Sequence, residues 1–337
     1  MIWELSATFV VESLIIVLAG VFLVRYADAL GEHLKLGHSM AGLLLLAVAT
    51  SLPELLVGCH AAHMGAIDMA TGDLLGSSLF NLLILSVLDL TTMTTGRILS
   101  RTASAHALSA TVSILLTVLV LIFLVLKMNV SLGPIGLGSI IIGVAYLFCL
   151  RLLYLDQQFS IVSDIVHEPE LIETKQTQIS FPKSVVGYLL TTAIIFFVAP
   201  RLASTSVDLA EATGLGGTFF GTVFIALVTS LPEAVTSFSA IRMGAVDMAI
   251  GNIFGSNAFN MVMFIGLDLA YGGPLWPGLE SVHIVTAAAV ILVTSVATLG
   301  LLYRAEKRWW IFEPDALLVI ILVTGALVLV YRMGAVG

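Results

Sequence analysis

Two glutamates stand in the same five-residue setting. Thr50-Ser51-Leu52-Pro53-Glu54 returns as Thr229-Ser230-Leu231-Pro232-Glu233, each time inside a long apolar segment. An isolated carboxylate in hydrocarbon costs about 3 kcal/mol or more, so each needs a cation or a proton. Two of them brought together match the charge of one divalent ion. Thr50, Ser51, Thr229 and Ser230 place hydroxyl oxygens beside them. Pro53 and Pro232 lack an N–H and clash with the carbonyl four residues earlier. They are therefore expected to open their helices around Ala49 and Thr50, and around Val228 and Thr229, freeing carbonyl oxygens as hard ligands. Ser77 and Asn81, like Ser256 and Asn260, have i, i+4 spacing, so each pair offers its oxygens from one helix face. Oxygen ligands without His or Cys clusters favour Na⁺, Ca²⁺ or Mg²⁺ over zinc or copper. Any one of these motifs would equally serve to pack helices. Two intramembrane glutamates in duplicated proline contexts are harder to read as packing alone.

The duplication extends well beyond these motifs. Residues 47–90 and 226–269, related by a constant offset of 179, share 21 of 44 positions. Many of the shared residues are polar or glycine. Gly72 and Gly76, with Gly251 and Gly255, have the small-xxx-small spacing that lets helices approach closely in lipid. Asp68 and Asp247 fall where helices should begin and read as N-caps, while Asp89 and Asp268, towards the opposite helix ends, read as vestibule or interfacial charges. Asp73 lies one step of four before Ser77, and its counterpart is Asn252. It is a candidate external vestibule charge, able to add a third carboxylate on the approach to the site. His60 and His63 correspond to Ser239 and Arg242, which argues against a symmetric histidine metal site. The stretch around Ser39 falls short of a nucleophile elbow, and Ser39 corresponds to Thr218, so catalysis there is not expected.

The elements that position these residues follow from composition. The chain is 59% apolar and 11% charged, with mean hydropathy +1.08, against roughly one-quarter charged residues in a soluble domain. The expected fold is an all-α membrane protein of ten transmembrane helices near 6–25, 39–60, 69–92, 105–127, 134–154, 184–202, 217–240, 248–270, 282–302 and 313–332. With the N-terminus external, eleven of the fourteen Lys and Arg residues fall on the cytoplasmic side. Five spans per copy is an odd number, so the second copy enters from the opposite side and the halves are inverted five-helix repeats. The expected organisation is residues 1–155, a polar cytoplasmic linker over 156–183, and residues 184–337. The N-terminal stretch has no basic region ahead of its apolar run, so the first helix is expected to be retained. Cys59 and Cys149 sit in apolar segments and predict neither a disulfide framework nor a thiolate metal site.

At the repeated motifs, TSLPE followed by D-x-A-x-G-[DN]-x-x-G-S-x-x-x-N, the sequence resembles the cation/calcium exchanger superfamily, specifically its sodium/calcium exchanger branch. The resemblance covers effectively the whole chain. It implies an alternating-access antiporter exchanging Ca²⁺ for Na⁺, with Glu54 and Glu233 as central Ca²⁺ ligands. It implies too that Thr50, Ser51, Ser77, Asn81, Thr229, Ser230, Ser256 and Asn260 complete the Ca²⁺ and Na⁺ sites. The family glycine before TS is Ala49 and Val228 here, and the family Asn after the first helix glycine is Asp73. Some members carry Asp where this chain has Asn81 or Asn260, which leaves Na⁺ or H⁺ coupling and the stoichiometry open. The rival readings are an H⁺-coupled exchanger, an exchanger of another divalent ion such as Mg²⁺ or Mn²⁺, and a passive cation channel. No enzymatic activity, cofactor, nucleic acid or obligate protein partner is expected. The expected partners are inorganic cations and the lipid bilayer, and the expected location is the plasma (inner) membrane.

Overall fold

The computed structural model describes residues 2–91, 103–167, 179–214, 226–303 and 314–334. Helix α1 (Ile2–Leu34) is followed by α2 (Gly37–Met40), which runs through a π-helical stretch, Ala41–Leu46, into α3 (Ala47–His63). Next come α4 (Ile67–Thr91) and α5 (Ala103–Leu126), a hairpin of β1 (Ser131–Leu132) and β2 (Ile135–Gly136), and α6 (Leu137–His167). The second half contributes α7 (Phe181–Ala212), α8 (Leu231–Arg242), α9 (Val246–Val262) and α10 (Phe264–Tyr271). It ends with α11 (Val282–Tyr303) and α12 (Pro314–Gly334).

Among the described residues, nine helical segments are long and apolar enough to cross a membrane. The expected span at 217–240 lies partly outside the described residues, and what is described of it is helical at 226–229 and again in α8. Helices α1 and α7 have 33 and 32 residues, well beyond the expected 6–25 and 184–202. At 1.5 Å per residue each runs roughly 50 Å, so it must tilt or project from a ~30 Å hydrocarbon layer. They pack against each other and leave Val10, Leu14, Leu18, Leu189, Leu190 and Phe197 exposed, the apolar outer surface that lipid requires. The expected linker is also shorter than its polarity suggested, because α6 continues to His167 and α7 begins at Phe181. Residues 168–178 lie outside the described residues. Cys59 and Cys149 are both free thiols.

Two local devices matter, and the first repeats. Gly65 and Gly244 both have φ of +82°, each ending a helix in a left-handed turn. In the first, the Gly65 amide donates to Ala62 and the Ala66 amide to Ala61. In the second, Gly244 and Ala245 donate to Ile241 and Ala240. A Cβ at either glycine would strain the turn. The second device is close approach. A Cβ on Gly42, Gly251 or Gly255 would strike backbone atoms of Met248, Ser39 or Leu43, so α9 and the stretch from α2 through the π segment meet backbone to backbone. Gly251 and Gly255 thus act as expected. Gly72 meets only the His283 ring at 3.6 Å and Gly76 nothing within 4 Å among the described residues. Residues 218–222, the repeat counterparts of the Ser39–Leu43 stretch, lie outside the described residues.

Candidate ion site

Helix α3 carries Thr50, Ser51 and Glu54, and α8 with the residue before it carries Ser230 and Glu233. Ser77 and Asn81 lie on α4, Ser256 and Asn260 on α9. All of these are buried, while Thr229 is half-buried. The prolines act differently from each other. Pro53 sits within a continuous α3, so the expected opening at Ala49 and Thr50 does not occur. The Thr50 hydroxyl donates to the carbonyls of Leu46 (3.0 Å) and Ala47 (3.4 Å), and the irregular stretch lies upstream as π-helix over Ala41–Leu46, where the Ala47 amide donates to the Gly42 carbonyl. Pro232 lies in the first turn of α8, where its missing N–H costs least. There the chain leaves helical geometry at Ser230 (φ −85°, ψ 10°), one residue beyond the expected Val228 and Thr229.

The two halves meet through their polar residues. Ser51 Oγ donates to Glu233 Oε1 at 3.4 Å. Asn81 Nδ2 donates to Asn257 Oδ1 at 2.9 Å, and Asn257 Nδ2 to the Ser78 carbonyl at 3.1 Å. Asn260 Nδ2 donates to the Leu74 carbonyl and to the hydroxyls of Ser77 and Ser78. The contacts are not symmetric. The repeat mate of Ser51 with Glu233 is Ser230 with Glu54, yet the Ser230 hydroxyl and both Glu54 oxygens have no hydrogen-bond partner among the described residues. Ser256 Oγ, Glu233 Oε2, Asn81 Oδ1 and Asn260 Oδ1 are also buried and unpartnered there. Buried oxygens are normally satisfied, so this concentration of bare acceptors fits a cation as the missing partner. No cluster of three or more His, Cys, Asp or Glu of metal-binding type assembles among the described residues. The donor set is hydroxyl, amide and two glutamates, a hard-oxygen set suited to Ca²⁺ or Na⁺.

Several acidic residues do other work than their sequence positions suggested. Asp68 and Asp247 fall in the first turns of α4 and α9 but do not cap them. Asp68 Oδ1 accepts from the Glu280 amide (2.8 Å) and lies 3.0 Å from His283 Nε2, while Asp247 Oδ1 lies 2.8 Å from His106 Nε2. Each aspartate therefore ties its helix to a helix of the other half, because its side chain points across the interface rather than back along its own axis. Asp268, expected as a vestibule or interfacial charge, is fully buried. Its carboxylate accepts the amides of Gly136 and Leu275, both at 2.9 Å, and so fixes the β-hairpin against the turn after α10. Asp89 is half-buried. Asn257 carries no repeat signal in the sequence, because its counterpart is Ser78 and identity between copies selects only residues kept twice. The paired bonds between Asn81 and Asn257, and between Asn260 and Ser78, show that the two positions exchange roles. The two histidines lay outside the repeated windows and carried no comparable signal.

The family model described as sodium/calcium exchanger protein matches residues 5–155 and 183–334. The chain belongs to this family. Its relatives include a putative antiporter, CaxA, of Alkalimonas amylolytica, 27% identical over 295 residues that make up 83% of this chain and 86% of that protein. The sodium/calcium exchanger MaX1 of Methanosarcina acetivorans is 38% identical over 88 residues, 26% of this chain and 25% of that protein. The fold is similar to that of the sodium-calcium exchanger NCX_Mj soaked with 10 mM Na⁺ and zero Ca²⁺, with TM-score 0.71 and 18% identity over 97% of this chain and 99% of that one. As a member of the sodium/calcium exchanger family the chain is an integral membrane protein of a transporter family, and its relatives point to cation antiport.

Proposed function

We propose that this protein exchanges Ca²⁺ for Na⁺ across a membrane by alternating access. In this reading Glu54 and Glu233 hold the Ca²⁺. Thr50, Ser51, Ser77, Asn81, Thr229, Ser230, Ser256 and Asn260 complete the Ca²⁺ and Na⁺ positions. Ten spans form two inverted five-helix repeats, residues 1–155 and 184–337, joined on the cytoplasmic side, with the N-terminus external and the protein in the plasma membrane. The observation that carries the proposal is the contact of Ser51 with Glu233 across the repeats while the mate Glu54 keeps two buried, unpartnered oxygens. Two nearly equivalent half-sites, one with a single carboxylate oxygen held across the repeats and the other with none, fit a carrier with two interconverting arrangements.

Purified protein in proteoliposomes tests the reading. An outward Na⁺ gradient should drive ⁴⁵Ca²⁺ uptake against the Ca²⁺ gradient. Uptake driven by a pH gradient and indifferent to Na⁺ would transfer the assignment to an H⁺-coupled exchanger, and flux only down the Ca²⁺ gradient would transfer it to a channel.

A further inference from the structure

Tyr188 of α7 bonds across the two copies. Its hydroxyl donates to the Leu45 carbonyl at 2.9 Å, and Leu45 belongs to the π-helical segment that leads into α3 with Thr50, Ser51 and Glu54. Both residues are half-buried and pack against one apolar cluster drawn from α1, α7 and the π segment. A phenol in such a setting needs an acceptor, and here the acceptor lies in the other copy. The bond therefore fixes how α7 sits against the segment that delivers the proposed ion ligands. Gly187 sets the approach, because the Tyr26 ring of α1 occupies the space that a Cβ there would need. Neither feature is written twice. At the offset of 179 the mate of Tyr188 is Phe9, and the mates of Gly187 and Tyr26 are Thr8 and Thr205. Leu45 corresponds to Phe224, which lies outside the described residues. Phe9 has no side-chain donor to offer any carbonyl at that place.

We propose that Tyr188 is a positioning residue of the exchange cycle, its hydroxyl bond to Leu45 holding one of the two facing arrangements and having no counterpart in the other; this rests on the reading of the chain as an alternating-access exchanger. In a carrier built from inverted repeats the copies trade arrangements as one moves against the other. Identical copies would make the two facings equal in free energy, so residues that differ between copies set their ratio. When the arrangements exchange, Phe9 comes to the place that Tyr188 holds here and brings no donor. One hydrogen bond of ordinary net strength changes the ratio of the two populations by about fivefold.

The test is Tyr188→Phe in the full-length protein, a change that leaves the ring its own repeat mate carries. Phe197 on α7 and Leu152 on α6 are both exposed; each is replaced by Cys in a background lacking Cys59 and Cys149, labelled with a nitroxide, and the separation is read by pulsed electron paramagnetic resonance in proteoliposomes. Tyr188→Phe should lower the population at this structure's separation about fivefold relative to the second population. In right-side-out and inside-out vesicles the ratio of the two apparent KM values for Ca²⁺ should shift by the same factor, since apparent affinity at each face scales with the fraction facing it. A merely structural role would lower the melting temperature and leave the populations as they are. Populations unchanged by Tyr188→Phe overturn the proposal. If the wild type carries no ⁴⁵Ca²⁺, the Ca²⁺ exchange reading fails, and the distance populations still decide for or against Tyr188.

Discussion

Glu54 and Glu233 occupy the same place in the two copies and yet differ in what they touch. Glu233 has one oxygen held by Ser51, and Glu54 has none held by any described residue. Burying either as an anion without a partner is expensive, and a cation lying between them offsets that cost. A charge pair 4 Å apart interacts by about 4 kcal/mol at an effective dielectric of 20, so removing one carboxylate should weaken Ca²⁺ binding by at least ~100-fold. Glu54→Gln and Glu233→Gln are therefore expected to abolish ⁴⁵Ca²⁺ transport. Each should retain or raise the melting temperature measured without Ca²⁺, because a neutral amide is cheaper to bury than an unpaired anion. Both should lose the upward shift that added Ca²⁺ gives the wild type. Near wild-type exchange by either variant would remove that glutamate from the site. These residues were legible in the sequence because their chemistry was written twice. Asn257 was not, since its role is shared with a serine, and the bonds that reveal it cross between halves 176 and 179 residues apart.

Helices set how closely those oxygens converge, and the tightest contact is that of α9 with the π segment before α3. A Cβ at Gly255 would lie 2.6 Å from the Leu43 carbonyl oxygen and 2.7 Å from its Cα. Backbone cannot move aside as a flexible side chain can. Gly255→Ala should therefore cost about 1–3 kcal/mol, seen as a lowered melting temperature in detergent. It should also reduce exchange, because Ser256 and Asn260 ride on the displaced helix. A variant as stable as the wild type would mean that the two elements separate without penalty. The sequence gives the glycine spacing plainly but not which partner each glycine meets. It misleads at Pro53, because one missing N–H does not by itself open a packed helix. In the first copy α3 runs on through Pro53 and the irregular turns lie upstream over Ala41–Leu46, while the second copy breaks at Ser230. Proline content alone therefore does not fix where a helix is disturbed.

At the scale of the whole molecule the two copies are tied to each other as well as folded within themselves. Asp68 at the start of α4 reaches His283 at the start of α11, and Asp247 at the start of α9 reaches His106 near the start of α5. In the proposed inverted arrangement these are equivalent ties at opposite membrane faces, the first external and the second cytoplasmic. The orientation itself rests on the placement of Lys and Arg, eleven against three. Six of the eleven, Arg97, Arg101, Lys175, Arg304, Lys307 and Arg308, lie outside the described residues, so sidedness has to be measured in the membrane. Cys59 is half-buried and Cys149 buried, so both are first replaced by Ala or Ser, and single cysteines are then introduced at Glu280 and at Thr174. The Glu280 side chain is exposed beside the tie of Asp68 with His283, and Thr174 lies in the segment joining the halves. In intact cells a membrane-impermeant maleimide should label Glu280→Cys and leave Thr174→Cys unmodified until the membrane is permeabilised. The opposite pattern would invert the whole molecule in the membrane. Labelling of both from outside would place the two halves' junction and the α10–α11 turn on one face, which five spans per copy forbids, and would overturn the inverted repeat.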